Sequence, residues 1–403
     1  MPTRGQVCAW ITGFGLVVPS LALAQDRTER DVVELIVRDG PQARAIRAET
    51  EVTRREQLAR LAYPNPGVMY SREGAGFTEF LQVEQSLPVF GTRAALSRAG
   101  VAATAAAEAE RDGRLWMLRA DAVSAVARLA AEQARLEAAQ AHTHDVARLI
   151  DILRTREREG EGSRFDRLRA EQELRETRQL VTSAAIGLSD ARASLAALLP
   201  PDTTVTRIAS VSQSPQAPMP VETLMTRAAS SRAELRALQR FAERAALESD
   251  ATRRARLPAP TLFGGLKRAD VESGRERGGV FGLSVSVPLF DAGQRDAARW
   301  AAERARVNAQ RASIELQSRS EIVRASDALS LRQAAVSEDQ EAAGDELTRI
   351  AEVAYREGEV GILELLDAVR TASRARTRSI DLRLQARLAQ IALERAVGDV
   401  LWP

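Results

Sequence analysis

Residues that commonly carry catalysis or bind metals are scarce in this chain of 403 residues, which has one cysteine and two histidines. His142 and His144 lie two positions apart in a segment of helical composition. Side chains at that spacing diverge by roughly 200° around a helix axis, so the two rings cannot share a metal ion, and we interpret both as polar residues on a helix surface. Serine, histidine and acidic residues form no nucleophile motif, and the glycine pairs do not open helices as phosphate-binding loops do. The sequence therefore predicts no enzyme, no cofactor and no metal site.

The first 24 residues have the pattern of an export signal. Arg4 precedes an apolar run over residues 9–18, and residues 22–24 fit a small-x-small cleavage site, so we expect the mature chain to begin at Gln25. A membrane anchor is the alternative, but the run is shorter than the ~20 residues that cross a bilayer. Cys8 lies before most of this run, unlike the lipid-anchor cysteine of a lipoprotein.

Beyond the signal, composition restricts the class of protein. The remaining sequence has no run of ~18 apolar residues, which argues against a helical membrane span and leaves β-strands as the means of crossing. Charged residues make up 28% and aromatic residues 4%, a balance typical of long helices that pack through small side chains. The net charge is +2 and the basic residues alternate with acidic ones, so we predict no nucleic-acid partner.

Two landmarks recur along the chain. The residues around Pro88 (Gln-Ser-Leu-Pro-Val-Phe-Gly-Thr-Arg) resemble those around Pro288 (Val-Ser-Val-Pro-Leu-Phe-Asp-Ala-Gly-Gln-Arg), and the Arg-Glu-Gly-Glu of 158–161 returns at 356–359. Recurrence at nearly equal spacing indicates a tandem duplication. The predicted organisation is a signal peptide (1–24), a first repeat (25–200), a linker (201–220) and a second repeat (221–403).

Each repeat contains one very long proline-free segment of helical composition, over 94–159 and 294–357. Helices of that length extend ~100 Å and are not stable alone. Shorter helical segments supply stacked, half-length partners: 31–61, 162–199, 221–256 and 361–400. Gly160 and Gly358 fall where the chain must reverse, because glycine readily takes the left-handed conformation that ends a helix. We therefore predict helical-hairpin tips near 160 and 358.

Strand patterns follow the proline pairs Pro64/Pro66 and Pro258/Pro260, which end the preceding helices. The predicted β-hairpins cover about 66–90 and 260–290, with polar, glycine-rich loops at 72–76 and 269–278. Phe281, Leu283, Val285 and Val287 alternate with Gly282, Ser284 and Ser286, the period-two pattern of a strand with one apolar face.

Six of the nine phenylalanines lie in or beside these two windows: 77, 80, 90, 263, 281 and 290. Short alternating strands with aromatic residues near their ends are typical of outer-membrane barrels. A small soluble β-domain at the head of a coiled coil is the alternative interpretation.

Two hairpins give four strands, and an open sheet cannot lie in lipid with unpaired edges. The predicted fold class is a mixed membrane β-barrel plus long α-helical barrel, internally duplicated, with four strands and six helical segments per chain. Three copies give a 12-strand barrel on a 12-helix tunnel, although strand counting alone also allows a dimer with eight strands.

The strand-to-helix corners at 86–91 and 287–291 and the tip at 355–368, with a weaker counterpart at 160–166, resemble the TolC-type outer-membrane efflux proteins. The resemblance covers about residues 31–400. Pro64-Asn65-Pro66 and Gly91-Thr92-Arg93 look most like the heavy-metal-efflux branch (cobalt-zinc-cadmium/copper).

This resemblance implies a homotrimer in outer-membrane lipid, with its helical tunnel in the periplasm and its tips docked on a periplasmic adaptor protein that engages an inner-membrane pump, RND type. The implied function is a non-enzymatic exit duct of a tripartite efflux system, which carries metal cations or small toxic compounds from the periplasm to the outside. A periplasmic coiled-coil adaptor or scaffold without a pore is the alternative, but such a protein would insert one helical hairpin into β-rich domains.

Positions that match the family's entrance motif are Glu364, Asp367 and Asp166, which would form an acidic ring, and Tyr355, which would help to close it. Six carboxylates from three copies of Glu364 and Asp367 would attract cations and oppose closure, whereas the alternative is that both are solvated surface residues. Val360 stands where the family usually has a basic residue. The implied adaptor-docking tips are Glu159, Gly160, Glu161, Glu357, Gly358 and Glu359.

Overall fold

The computed structural model describes residues 27–74, 78–209, 219–257, 259–287, 290, 293–339 and 341–402. The predicted signal and its cleavage site lie outside these residues, as do Phe77, Pro258 and Pro288 and part of the predicted linker. Within the described residues, no helix combines the length and the apolar character that a transmembrane helix needs.

Long helices dominate the described part of the chain, and the strands fall in the two predicted windows. The helices are α1 (Glu29–Asp39), α2 (Pro41–Arg60), α3 (Thr92–Glu159), α4 (Arg164–Ala196), α5 (Val221–Ser231), α6 (Ala233–Arg254), α7 (Gln294–Ser337), α8 (Glu341–Glu357) and α9 (Ile362–Val397). The strands are β1 (Gly67–Glu73), β2 (Thr78–Ser86), β3 (Pro260–Val271) and β4 (Gly274–Val285). The 68 residues of α3 form one uninterrupted helix, as predicted for the long segment of the first repeat.

Three of the six predicted helical segments are each divided in two. The segment 31–61 is interrupted at Gly40, which is extended because the following residue is Pro41. Arg47 donates hydrogen bonds to the carbonyl oxygens of Val37 and Arg38 and so satisfies the free end of α1. The segment 221–256 is interrupted at Arg232.

The segment 294–357, expected to be one long helix, ends at Ser337 and resumes at Glu341. Glu338 is the C-cap residue of α7 and Asp339 follows it, and negative charges at the C-terminal end of a helix are unfavourable because of the helix dipole. Below the interruption, Gly344 lies so close to Ala372 of α9 that an added Cβ would be 3.0 Å from the Ala372 Cα. The division therefore lets α8 pack closely on α9.

The helices lie side by side in a fixed order. In the first repeat α2 and α4 both pack on α3, and in the second α6 packs on α7 while α9 packs on α7 and α8. The repeats meet because α3 also packs on α6 and α9. Each long helical segment therefore has stacked, half-length partners, as expected.

An ion pair with one buried partner joins the two repeats near the sheet. Arg60 of α2 donates two hydrogen bonds to the Glu248 carboxylate of α6, at 2.7 and 2.9 Å. The Glu248 side chain is 3% exposed, and its hydrogen bonds raise the pKa of Arg60. Removal of Arg60 would leave the buried Glu248 carboxylate without this partner, which is destabilising.

The start of the predicted linker is part of the core. Val205 and Ile208 are buried in the cluster that α1, α3 and α4 form, and Gln133 donates a hydrogen bond to the carbonyl oxygen of Thr206 at 3.1 Å. Residues 201–209 therefore pack against the helices, while 210–218 lie outside the described residues.

The four strands form one antiparallel sheet in the order β1-β2-β3-β4. The repeats join at β2 and β3, with Leu81 opposite Leu266, which leaves β1 and β4 as the edges of the sheet within one chain. The predicted loop at 269–278 is wrong over most of its length, because β3 and β4 continue until Val271 pairs with Gly274. Polar residues there mark the end of an exposed hairpin, whose backbone stays paired.

The two faces of the sheet differ in chemistry. Register brings Val68, Val83, Gly264 and Phe281 into one row, and Phe281 is 89% exposed. The neighbouring row on that face joins Tyr70, Leu81, Leu266 and Gly279. The opposite face carries mostly small or polar residues: Ser71, Gln82, Gly265, Lys267, Gly282 and Ser284. The predicted alternation is confirmed, and the apolar side chains form a continuous exposed face.

Candidate functional site at the helical-hairpin tips

Both helical hairpins reverse through the same backbone turn. Gly160 and Gly358 have φ of +80° and +79°, the left-handed conformation that favours glycine. The amide of Glu161 donates to the Arg156 carbonyl at 2.9 Å, and the amide of Glu359 donates to the Ala354 carbonyl at 2.9 Å, the six-residue bond of a Schellman motif. Both hairpins therefore reverse at these glycines, and the six residues expected at the docking tips are all exposed.

Above the tips, the two hairpins are joined by a hydrogen bond between Tyr355 of α8 and Asp166 of α4. The Tyr355 hydroxyl donates to Asp166 Oδ2 at 3.1 Å, and the tyrosine is 9% exposed. Burial, followed by the nearby Asp166 carboxylate, raises the pKa of Tyr355 to about 12. The hydroxyl therefore keeps its proton, and so remains a donor, throughout the physiological pH range.

An apolar cluster surrounds this hydrogen bond and holds α9 to the first hairpin. Its buried members come from all four helices at the tips: Val146, Ile150, Leu153, Ala170, Tyr355, Ile362, Leu365, Leu366 and Val369. Val360 packs against the cluster. At the position where the resemblance implies a basic residue, this chain therefore adds an apolar contact.

Glu364 and Asp367 lie on the exposed side of α9, away from that cluster. They are one helical turn apart, so their side chains share one face. The structure places Asp166 differently from these two, since it is half-buried and bonded to Tyr355. The three acidic residues predicted as one group therefore occupy two settings within a chain.

Sequence reasoning missed a second charged contact between α9 and α4. Arg370 donates from Nε to Glu173 Oε1 at 2.8 Å and makes a second hydrogen bond to the same carboxylate. Glu173 is 4% exposed, and its hydrogen bonds raise the pKa of Arg370. Arg370 follows Asp367 by one turn, but its partner is far away in sequence, so no local signal identified the pair.

His142 is buried beside this pair, which corrects the prediction that both histidines lie on the helix surface. It is 4% exposed, and burial lowers its pKa, while the carboxylates of Glu173 and Asp145 oppose that shift. His144 is exposed, so the two rings diverge as expected. Among the described residues, no group of three or more histidine, cysteine or acidic side chains is arranged to hold a metal ion.

Comparisons with known proteins place this geometry in context. Residues 224–399 match the model of the outer membrane efflux protein family. The whole fold is similar to that of CusC (TM-score 0.71, 18% identity, 92% of each chain covered). It is also similar to that of a membrane protein from Pseudomonas aeruginosa (TM-score 0.72, 19% identity, 92% of this chain and 93% of that chain covered). A third similar structure is the open state of the MtrE outer membrane channel from Neisseria gonorrhoeae (TM-score 0.71, 19% identity, 93% of this chain and 89% of that chain covered). No curated protein matches the chain in sequence.

The Tyr355 contact predicts that this tyrosine ionises at an unusually high pH. The chain has three tyrosines, so the difference in tyrosinate absorbance between the native protein and Tyr355→Phe isolates this side chain. We expect its midpoint at about pH 12, against an ordinary value near 10. Because the folded-state pKa is raised, the stability from this contact is fully present below about pH 10 and is lost as the pH rises through about 12.

Asp166→Asn is the matched variant for this titration. Since the Asp166 carboxylate contributes to the raised pKa, its removal should lower the midpoint while the fold is retained. A midpoint near 10 in the native protein would show that the Tyr355 hydroxyl is not held as described.

Proposed function

We propose that this chain, whose residues 224–399 match the model of the outer membrane efflux protein family, is the exit duct of a tripartite efflux system, which carries metal cations or small toxic compounds out of the periplasm. The observation that carries this proposal is the exposed apolar face of an open-edged sheet, joined to a helical part whose longest helix, α3, extends ~100 Å. The sheet lies in the outer membrane and the helices extend into the periplasm. The chemistry of this function is positioning and charge, with no bond made or broken.

Lipid is the environment that fits the apolar face. Val68, Leu266, Leu283 and Phe281 are between 61% and 89% exposed in one chain, and burying such a side chain contributes about 1.5–3 kcal/mol. The opposite face, with its glycine, serine and glutamine residues, suits a polar interior. The alternation along each strand therefore separates a lipid side from a duct side.

Assembly of three copies completes the duct. The backbone groups on the outer edges of β1 and β4 need partners in lipid, and edges of neighbouring copies supply them. Eight strands give a barrel that side chains fill, whereas twelve leave room for a passage, which favours the homotrimer over a dimer.

The tips form the periplasmic entrance in this proposal. Tyr355–Asp166 and Arg370–Glu173 hold the second hairpin against the first, so separating them would let the entrance widen. Glu364 and Asp367, exposed on α9, line that entrance and attract cations. The interruption between α7 and α8 gives the lower part of the second hairpin a place to change direction.

The exposed tips are the surface that we assign to a periplasmic adaptor protein. Glu159, Gly160 and Glu161 in one hairpin and Glu357, Gly358 and Glu359 in the other have nearly the same backbone turn. An adaptor that repeats one contact could therefore bind both tips. We further propose an inner-membrane pump, RND type, behind that adaptor.

A periplasmic adaptor or scaffold without a pore is not favoured. Such a protein has no use for an exposed apolar sheet face, which would be an aggregation liability in water. The two helical hairpins and the sheet of four strands instead fit a duct.

The cargo is the open part of the proposal. The heavy-metal branch of the family is one candidate, and CusC is among the similar structures. MtrE is as similar, with 19% identity against 18% for CusC, so these similarities favour no cargo. We propose that the pump selects the cargo, because the walls of a duct need no specific binding site for it.

Charge at the entrance predicts ion preference. In planar bilayers, the purified protein should conduct cations in preference to anions, and replacing both Glu364→Gln and Asp367→Asn should reduce that preference severalfold, since six carboxylates are neutralised in a trimer. Glu346→Gln, an exposed residue of α8 that pairs with Arg349, is the control and should leave the preference unchanged. Equal cation preference in all three proteins would show that Glu364 and Asp367 do not line the entrance.

Growth of a deletion strain tests the efflux function itself. Loss of the gene should raise sensitivity to particular metal ions or to particular toxic compounds, and the native gene should restore resistance. The class of compound that shows the effect identifies the cargo. Unchanged sensitivity to both classes would contradict an efflux duct.

A further inference from the structure

A row of charged residues crosses the sheet where its apolar face ends at the β-hairpins. Register aligns one residue from each strand: Arg72, Glu79, Arg268 and Arg277. Each lies two positions beyond the row of Tyr70, Leu81, Leu266 and Gly279, and residues two apart point to the same face. The charged row therefore directly continues the exposed apolar face toward the hairpin loops.

This row has an excess of positive charge within a short distance. Neighbouring strands are about 4.8 Å apart, so the four positions span about 14 Å. Arg268 and Arg277 stand beside one carboxylate, Glu79, and the Arg268 Nη1 atom is 4.0 Å from Glu79 Oε2. The next row outward is balanced, since Arg275 pairs with Asp270 at 2.9 Å. The net positive charge therefore lies at the boundary of the apolar face.

The other end of the same face has a different composition. There the described strand residues are uncharged, with Gln85, Leu262 and Leu283 in one row and Pro260 and Val285 in the next. At the hairpin end, the reverse face carries Lys267, whose Nζ lies 5.5 Å from the centre of the Phe80 ring. The basic row is thus specific to one end of one face.

We propose that Arg268 and Arg277 bind the phosphate groups of an anionic lipid in the outer leaflet of the membrane. The helices occupy the periplasmic side, so the hairpin end reaches the outer leaflet. A lipid that covers the apolar face with its chains brings its headgroup to this height. Arginine is suited to it because the planar guanidinium donates two parallel hydrogen bonds to a phosphate.

Charge complementarity and continuity with the apolar face favour a lipid as the occupant. A soluble anion would gain the charge but no chain contact, and a protein partner would have to displace lipid from the neighbouring rows. The inference rests on the membrane insertion in the proposed function and not on transport. Loss of lipid binding and loss of efflux are therefore separate outcomes.

Lipid titration of the full-length protein tests this proposal. Purified protein in a neutral detergent is titrated with a bisphosphorylated lipid A, and the rise in Tm gives an apparent affinity. The same lipid without its phosphates is titrated in parallel. We expect stabilisation by the phosphorylated form and much less by the other, because the chains are identical and only the phosphates differ.

Three variants locate the site. Each basic residue near a charged lipid surface contributes about fivefold in affinity, so R268Q/R277Q should weaken binding by roughly 30-fold. K267Q removes one charge from the neighbouring position on the opposite face and should change affinity by less than about twofold. R268K/R277K retains the charge and should keep most of the binding, which separates loss of phosphate contact from damage to the fold.

The contrary results are equally specific. Equal weakening by K267Q and by R268Q, measured singly, would overturn the assignment to the apolar side. Unchanged binding in R268Q/R277Q, or equal stabilisation by inorganic phosphate alone, would overturn the assignment to a lipid phosphate.

Discussion

In the proposed duct, the structure depends on one constraint, that backbone N–H and C=O groups surrounded by lipid must find partners in the protein. Within one chain, β1 and β4 end the sheet, and each presents an unpaired edge beside an apolar face. No side chain in the edge strands changes this, because the missing partners are backbone groups. The duplication brings two hairpins together at β2 and β3, and the remaining two edges require further copies of the chain.

The helical part follows from the same closure. Once copies pair through their sheet edges, the helices beneath them must also lie side by side. A helix of ~100 Å such as α3 needs a packing partner along its whole length. In each repeat shorter helices stack to provide it, and α3 extends between the repeats. Charged contacts such as Arg60–Glu248 and Arg370–Glu173 fix neighbouring helices at opposite ends of this arrangement. The tips are consequently the place where an opening can be regulated without disturbing the membrane part.

Much of this could be predicted because the relevant signals are local. Gly160 and Gly358 mark the tips by their conformational freedom, and the alternation from Phe281 to Val287 reveals the apolar face. The divisions of the helices were harder. Pro41 lies within a helical pattern that would continue without it, and the negative charges of Glu338 and Asp339 gain significance only when the end of α7 is known. The burial of His142 and the pairing of Arg370 with Glu173 depend on contacts between distant segments, which no single stretch of sequence encodes.

Chemical cross-linking between sheet edges tests the central claim most directly. The chain's single cysteine, Cys8, lies in the predicted signal, so cysteines can be introduced singly without competition. Met69→Cys on β1 is combined in turn with cysteine at one of five β4 positions on the same face, 276, 278, 280, 282 and 284, which together cover different registers. Within one chain these edges are separated by about 14 Å at matching register, so a shorter bifunctional reagent joins neighbouring copies. We predict a ladder of one, two and three chains with nothing larger for at least one combination, and none for the single-cysteine proteins; a ladder that stops at two chains, or no cross-link in any combination, would contradict the closed trimer.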